Sequence, residues 1–279
     1  MPVFEDNLPF QPFGGRNLRL QTPNMVGTDV KVFQTLFNQL LAITNPPQGP
    51  IGTPIVRDGV YGPKTTAAAR QVQSYFGLSV DGVVGPQTFL AMGQGVRGNV
   101  TYGGPAFGSR TLSQGNSGGD VTVLQNRLNL FRYAVALGGA ADGQFGPKTV
   151  QAVTQFKVDA INNGDSGLNV NGVVGIGGLD AVWVYTYTGG RNLSQGTAGL
   201  DVAFLQFLLA ALTNPGTGQP FYTGAVDGYF GAITAAAVRA FQSSVGLTAD
   251  GTAGPSTYHQ LGLRNQVAAP RPAPVPPVA

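Results

Sequence analysis

Asp58-Gly59-Val60-Tyr61-Gly62-Pro63-Lys64-Thr65 occurs again as Asp142-Gly143-Gln144-Phe145-Gly146-Pro147-Lys148-Thr149. It occurs a third time as Asp227-Gly228-Tyr229-Phe230-Gly231, where Ala232 replaces the proline. Asp-Gly is a turn signal. A proline straight after the following glycine suits the first position of a helix, where a missing N–H leaves nothing unpaired. The stretch therefore reads as a tight turn feeding a helix, repeated at roughly 80–90 residues.

Outward from this turn the repeat continues on both sides. Each copy opens on Gly-(Gly/Ser)-Arg-x-Leu, with Arg16 and Leu18, Arg110 and Leu112, and Arg191 and Leu193. An Asp-Val pair follows (Asp29, Asp120, Asp201), then an apolar residue with glutamine (Gln34, Gln125, Gln206). Val30, Phe33, Phe37, Leu40 and Leu41 recur at helical spacing, which predicts helix one. The aspartate falls in its first turn, where a carboxylate meets free backbone N–H groups and the positive end of the helix dipole. Downstream, an alanine-rich second helix shows the stripe Ala69, Val72 and Phe76 in copy one and Val238, Phe241 and Val245 in copy three. A second Asp-Gly turn then leads into a third helix, at Asp81 within Gly77–Thr88 and at Asp250 within Gly246–Thr257.

The expected fold is mainly α, with three tandem three-helix modules and short extended segments. Residues 1–13 form an irregular N-terminal arm, 14–94 module 1, 95–107 a linker, 108–188 module 2, 189–265 module 3, and 266–279 a Pro-rich tail. Modules 1 and 3 carry Pro/Gly-rich insertions at Asn45–Pro54 and Asn214–Pro220. Copy two departs most. Its last turn reads Asn171-Gly172-Val173-Val174-Gly175-Ile176-Gly177-Gly178, and it has extra residues between Phe156 and Leu168.

Composition narrows the function. The 279 residues hold 42 glycines, 20 prolines and no cysteine, with 42% hydrophobic and only 10% charged residues. Hydrophobicity at that level with so little charge argues against disorder. The formal net charge is +3 and the basic residues are scattered, so no phosphate-tracking patch emerges and no nucleic-acid partner is expected. Without cysteine, thiolate chemistry is excluded. Met1 is followed by Pro2, Glu5 and Asp6 rather than by a basic stretch and an apolar run, so no Sec signal peptide is visible. No apolar run approaches the ~18 residues of a membrane span. The single histidine, His259, reads as an exposed helix residue, and the single glutamate, Glu5, lies in the arm. A zinc site usually takes several nitrogen or sulfur ligands and glycan cleavage generally takes two carboxylates. The expectation is a non-enzyme with no metal and no cofactor.

The signposts resemble the peptidoglycan-binding domain found beside bacterial cell-wall hydrolases, amidases and spore-cortex enzymes. The likeness covers nearly the whole chain, three times over, and is similar to stand-alone multi-module proteins of spore-forming bacteria. It implies a compact three-helix bundle and non-covalent attachment to peptidoglycan or wall glycan, at the cell envelope, a spore surface or outside the cell. The missing Asp, Pro and Thr of copy two, and Ala232 in copy three, depart from the family pattern, so the modules need not all bind the same thing.

Candidate residues carry two readings each. Tyr61, Phe145 and Phe230 could stack on sugar rings, or plug the core beneath the turn; small modules need such plugs, which favours the second. Gln34, Gln125 and Gln206 could hold a peptide stem, or satisfy loop backbone groups, and again the second is favoured. Arg16, Arg110 and Arg191 could pair with stem carboxylates or teichoic phosphates, or clamp carbonyls ending the preceding module, with nothing to separate the two. Asp29, Asp120, Asp201, Asp58, Asp142, Asp227, Asp81 and Asp250 read as structural caps and turns. Phe4, Phe10 and Phe13 in the arm are available to dock on neighbours. With the low charge and two unlike ends of a head-to-tail array, they suggest a self-assembling subunit, a homo-oligomer or filament of a spore-surface or extracellular fibre or a phage particle, as the alternative to a wall-binding adaptor.

Overall fold

The computed structural model describes residues 8–9, 11, 13–44, 52–92, 102–105, 107–130, 133–162, 168–175 and 189–265. Phe4, Phe10, most of the linker, Trp183 and the Pro-rich tail lie outside them. Module 1 consists of β1 (Met25–Val26), α1 (Thr28–Ile43), β2 (Val60–Tyr61), α2 (Pro63–Tyr75) and α3 (Pro86–Ala91). Module 2 has α4 (Gly119–Asn129), a short α5 (Ala134–Leu137) and α6 (Pro147–Asn162). Module 3 has α7 (Leu200–Ala211), α8 (Ala232–Ser244) and α9 (Pro255–Asn265). The third helix expected in module 2 falls on residues 176–188, outside those described.

Each module is tied by its opening segment. β1 pairs antiparallel with β2, Met25 opposite Tyr61. The same contact recurs as the bridges Ser117 to Gln144 and Ala198 to Tyr229. A few residues upstream, Leu18 bridges to Val84, Leu112 to Val174 and Leu193 to Ala253. One extended strip thus holds both turns of its module. The helical stripe read from the sequence faces inward, with Val30, Phe33, Phe37 and Leu40 fully buried. In module 2 the residues after Phe156 extend α6 to 16 residues, against 13 in α2 and α8.

The modules do not form the head-to-tail string suggested by the sequence. Module 3 packs on both of the others: α1 lies against α7, and α4 and α5 lie against α9. The reason is legible in α7, Leu-Asp-Val-Ala-Phe-Leu-Gln-Phe-Leu-Leu-Ala-Ala, which is apolar on nearly every side and must be covered on more than one. At the seam between modules 1 and 3, Tyr75 donates its hydroxyl to the Asp227 carbonyl at 2.7 Å, and Tyr229 donates to the Tyr75 carbonyl. The rings of Tyr75 and Phe76 pack on Tyr229, with centroids 6.1 and 5.9 Å away. At the seam between modules 2 and 3, Asn126 donates to the Gly189 carbonyl at 3.3 Å, and buried Arg127 stacks over Phe107 at 5.0 Å. His259 is half-buried here rather than exposed, with Nδ1 3.2 Å from Asn129 Oδ1, and burial pulls its pKa below the usual imidazole value.

Candidate functional site

Two side-chain devices recur and account for most of the signpost residues. The first is a clamp at the start of each leading helix. Arg16 Nε meets Asp29 Oδ2 at 2.8 Å, its Nη2 meets Oδ1 at 3.1 Å, and the same Nη2 donates to the Val26 carbonyl at 3.0 Å. Arg110 does the same with Asp120 (2.7 and 3.0 Å) and Ser117 (2.8 Å). Arg191 repeats it with Asp201 (2.7 and 3.1 Å) and Ala198 (2.8 Å). Each aspartate also accepts from the next backbone N–H, that of Val30, Val121 or Val202. The fork of a guanidinium matches a carboxylate in two places, so the pair fixes how the opening strip meets the helix. The carbonyls clamped belong to the arginine's own module. Burial holds the Asp29 carboxyl above the usual range in spite of Arg16.

The second device is a lock built on glutamine. Gln34 Nε2 donates to Asp58 Oδ1 at 2.9 Å and to Thr65 Oγ1 at 3.1 Å, while its Oε1 accepts from Gly59 N–H at 2.9 Å. Asp58 Oδ1 in turn accepts from Val60 N–H at 2.9 Å. Gln125 holds Asp142, Thr149 and Gly143 in the same way, at 2.8, 3.1 and 2.8 Å. Gln206 holds Asp227, Thr234 and Gly228 at 2.8, 3.1 and 2.9 Å. An amide supplies donors and an acceptor from one buried group, which is what a turn with both orphan N–H and orphan carboxylate needs. Gly59, Gly143 and Gly228 take φ of 70°, 71° and 74°, the left-handed region that a side chain resists.

The same lock closes the second turn, and there the sequence reading had passed it over. Gln73 holds Asp81 (2.7 Å) and Gly82 (2.8 Å), and Gln242 holds Asp250 (2.8 Å), Thr257 (3.2 Å) and Gly251 (2.9 Å). The available signal was a glutamine eight residues ahead of each aspartate. A module is thus two helix-plus-lock units in succession. The remaining unit, the second of module 2, is rebuilt: Lys157 replaces the glutamine and donates to Asn171 Oδ1 at 3.1 Å and to the Val173 carbonyl. Three residue types differ together there, Gln to Lys, Asp to Asn and Thr to Gly178, and an ammonium has no acceptor to offer a turn N–H. Gly172 there lies outside the left-handed region.

The locks make stability depend on acid. The Val83 N–H, and then Gln73, hold the Asp81 carboxyl below its usual value; the Thr252 N–H and Gln242 do the same for Asp250. A depressed carboxylate pKa contributes stability that is complete above the unfolded value, about 3.9, and is lost as pH falls through the lower, folded value. Thermal unfolding measured from neutral pH into that range should show modules 1 and 3 weakening. Asp81→Asn with Asp250→Asn should flatten that part of the profile, and an unchanged slope would refute it.

The rings beneath the turns face inward: Tyr61, Phe145 and Phe230 are all buried. None offers a face to solvent for stacking. Tyr61 adds one bond, from its hydroxyl to the Gly82 carbonyl at 2.8 Å, which links the two turns of module 1. Tyr61→Phe, which copies the residue found in modules 2 and 3, is expected to cost about 1 kcal/mol in urea unfolding. A loss above about 3 kcal/mol would mean the ring itself had moved. Phe13 is buried as well, edge-on to Phe89 with centroids 4.9 Å apart.

With clamps, locks and rings committed to the fold, an open surface is found beside the first lock of module 2. A pocket of about 440 Å³ lies between the chain after α5 and the start of α6, with Gln125, Leu137, Ala140, Asp142, Gln144 and Lys148 among its walls. Among the described residues, no cluster of three or more His, Cys, Asp or Glu could hold a metal ion. No described helix is long and apolar enough to cross a membrane.

Three copies of a small helical scaffold, each closed by the same clamp and the same first lock, define a tandem array of one module. Comparison with known proteins gives the same division. The profile described as a putative peptidoglycan binding domain matches residues 26–92, 117–181 and 198–261, and the chain belongs to that family. It is 45% identical over 86 residues to a zinc D-Ala-D-Ala carboxypeptidase of Streptomyces albus G, covering 31% of this chain and 30% of that protein. It is 34% identical over 167 residues to a probable N-acetylmuramoyl-L-alanine amidase of Bacillus licheniformis, covering 54% and 44%. It is 41% identical over 100 residues to the N-acetylmuramoyl-L-alanine amidase CwlM of Mycobacterium tuberculosis, covering 34% and 23%. The chain therefore spans less than half the length of these relatives. No solved structure matches it significantly.

Proposed function

We propose that the chain attaches non-covalently to bacterial peptidoglycan at the cell envelope, without catalysis of its own. The observation that carries this reading is the family match in all three modules. The relatives are named for cleaving wall peptides and amides, and the stretch they share with this chain fits attachment rather than cleavage. Three linked sites convert weak single contacts into avid binding, because later contacts are intramolecular. Modules packed into one body hold those sites at fixed separations, so the array favours a substrate with repeating, regularly spaced epitopes. Saturable pelleting of the purified protein with isolated sacculi at low salt is the expected result. Protein left wholly in the supernatant would refute the reading.

A second reading makes the chain also a self-assembling subunit, in a spore-surface or extracellular fibre or a phage particle. It is supported by the 10% charge and by exposed Val135, Phe207 and Ile233, which lie open at 63%, 42% and 61%. Negative-stain microscopy at high concentration tests it: filaments support it, and monodisperse particles refute it.

A further inference from the structure

The pocket beside α6 has a counterpart in module 3, and there the chain fills it with its own side chain. Tyr222 stands five residues ahead of Asp227, as Leu137 stands five ahead of Asp142. The Tyr222 ring is buried. Its hydroxyl accepts from Gln206 Nε2 at 3.0 Å and donates to the Ala225 carbonyl at 2.6 Å. A six-membered ring carrying a hydroxyl, bridged between the lock amide and a turn carbonyl, is thus what this slot holds when it is full.

In module 2 the ring and hydroxyl are gone. Leu137 takes the place of the tyrosine, and both counterparts of its partners, Gln125 and Ala140, line the pocket instead. The volume, about 440 Å³, is in the range of small-ligand sites. The rim differs as well. Lys148 borders the pocket, with its ammonium close over Gly138, where module 3 has Ile233. A cation at the rim favours a ligand with a carboxylate beside the ring.

We propose that this pocket is the sugar subsite of module 2, taking one pyranose ring of the wall glycan that bears an acidic substituent, as N-acetylmuramic acid does. One ring hydroxyl takes the bridging place between Gln125 and the Ala140 carbonyl that the Tyr222 hydroxyl fills in module 3, and the acid lies toward Lys148. Module 3, plugged by Tyr222, offers no such subsite. The proposal rests on the wall-binding reading and assigns it to one place and one chemical class.

The test is Leu137→Tyr, which copies the module 3 plug into module 2 and leaves the lock untouched. NMR titration with N-acetylmuramic acid should give shifts at Gln125, Ala140 and Lys148 in the wild type, with a Kd on the order of 1 mM. Leu137→Tyr should weaken binding about tenfold or more at an unchanged or raised melting temperature. Lys148→Ile should weaken N-acetylmuramic acid while leaving N-acetylglucosamine as it was. Wild-type affinity in Leu137→Tyr, or shifts centred elsewhere, would overturn the subsite. If the protein still pelleted with sacculi, wall attachment would stand without it. If neither sugar nor sacculi bound, both would fall.

Discussion

Gly262→Leu is expected to part module 2 from module 3 and to lower stability by about 3–5 kcal/mol. A Cβ at this position would lie 1.3 Å from the Asn129 carbonyl oxygen and 3.3 Å from the Ala134 side chain. The first obstacle is backbone, so no rotamer change relieves it, and α9 must lift off α4. With it would go the contact between His259 and Asn129 described above. The expected readout is a broadened or split thermal transition, with faster hydrogen exchange in α4 and α9 and little change in α1. Gly231→Ala serves as the control, since a Cβ there meets nothing within 4 Å. A melting temperature within about 1 °C of the wild type would show that the seam is not where the structure puts it.

Gln206→Leu carries the second large effect, about 3–4 kcal/mol. Gln206 is fully buried and its amide reaches Asp227, Thr234, Tyr222 and the Tyr229 carbonyl, while its Oε1 accepts from Gly228. Leucine fills the space but leaves those groups unpaired, and an unmade buried bond costs more than a made one contributes. Gln206→Glu separates the terms: it keeps an acceptor for Gly228 N–H and sets a second carboxylate against Asp227. Urea unfolding should rank wild type above both variants. If Gln206→Leu were as stable as the wild type, the lock would be incidental to the turn it closes.

Much of this architecture was legible in the sequence, because its signals are local. The helix-one stripe, the Asp-Gly turns and the proline after glycine each follow from backbone preference within a few residues. The packing of the modules was not legible, because it depends on surfaces far apart in the chain. It follows from the all-round apolar character of α7, which more than one partner must cover. The second lock escaped for a related reason. Gln73 and Gln242 look like ordinary polar residues late in a helix, and their role emerges only when the two halves of a module are laid over each other. The clamp shows a further limit. Arg16 and Asp29 can each be read singly as a ligand contact and a cap, whereas their 2.8 Å pairing decides how the two are used. The module 2 pocket is defined by what Leu137 lacks beside Tyr222, a comparison that needs the geometry of both.

The order of the modules in space, with the third touching the other two, differs from their order of synthesis. α1 and α4 leave the ribosome before α7 and α9 exist to cover them. For that interval the faces of α1 and α4 that module 3 will cover stay open, and exposed surfaces of that kind invite association with other chains at high concentration. The third module is thus the one that finishes the first two, and a chain that stalls before Leu200 would release two modules that each still lack a partner.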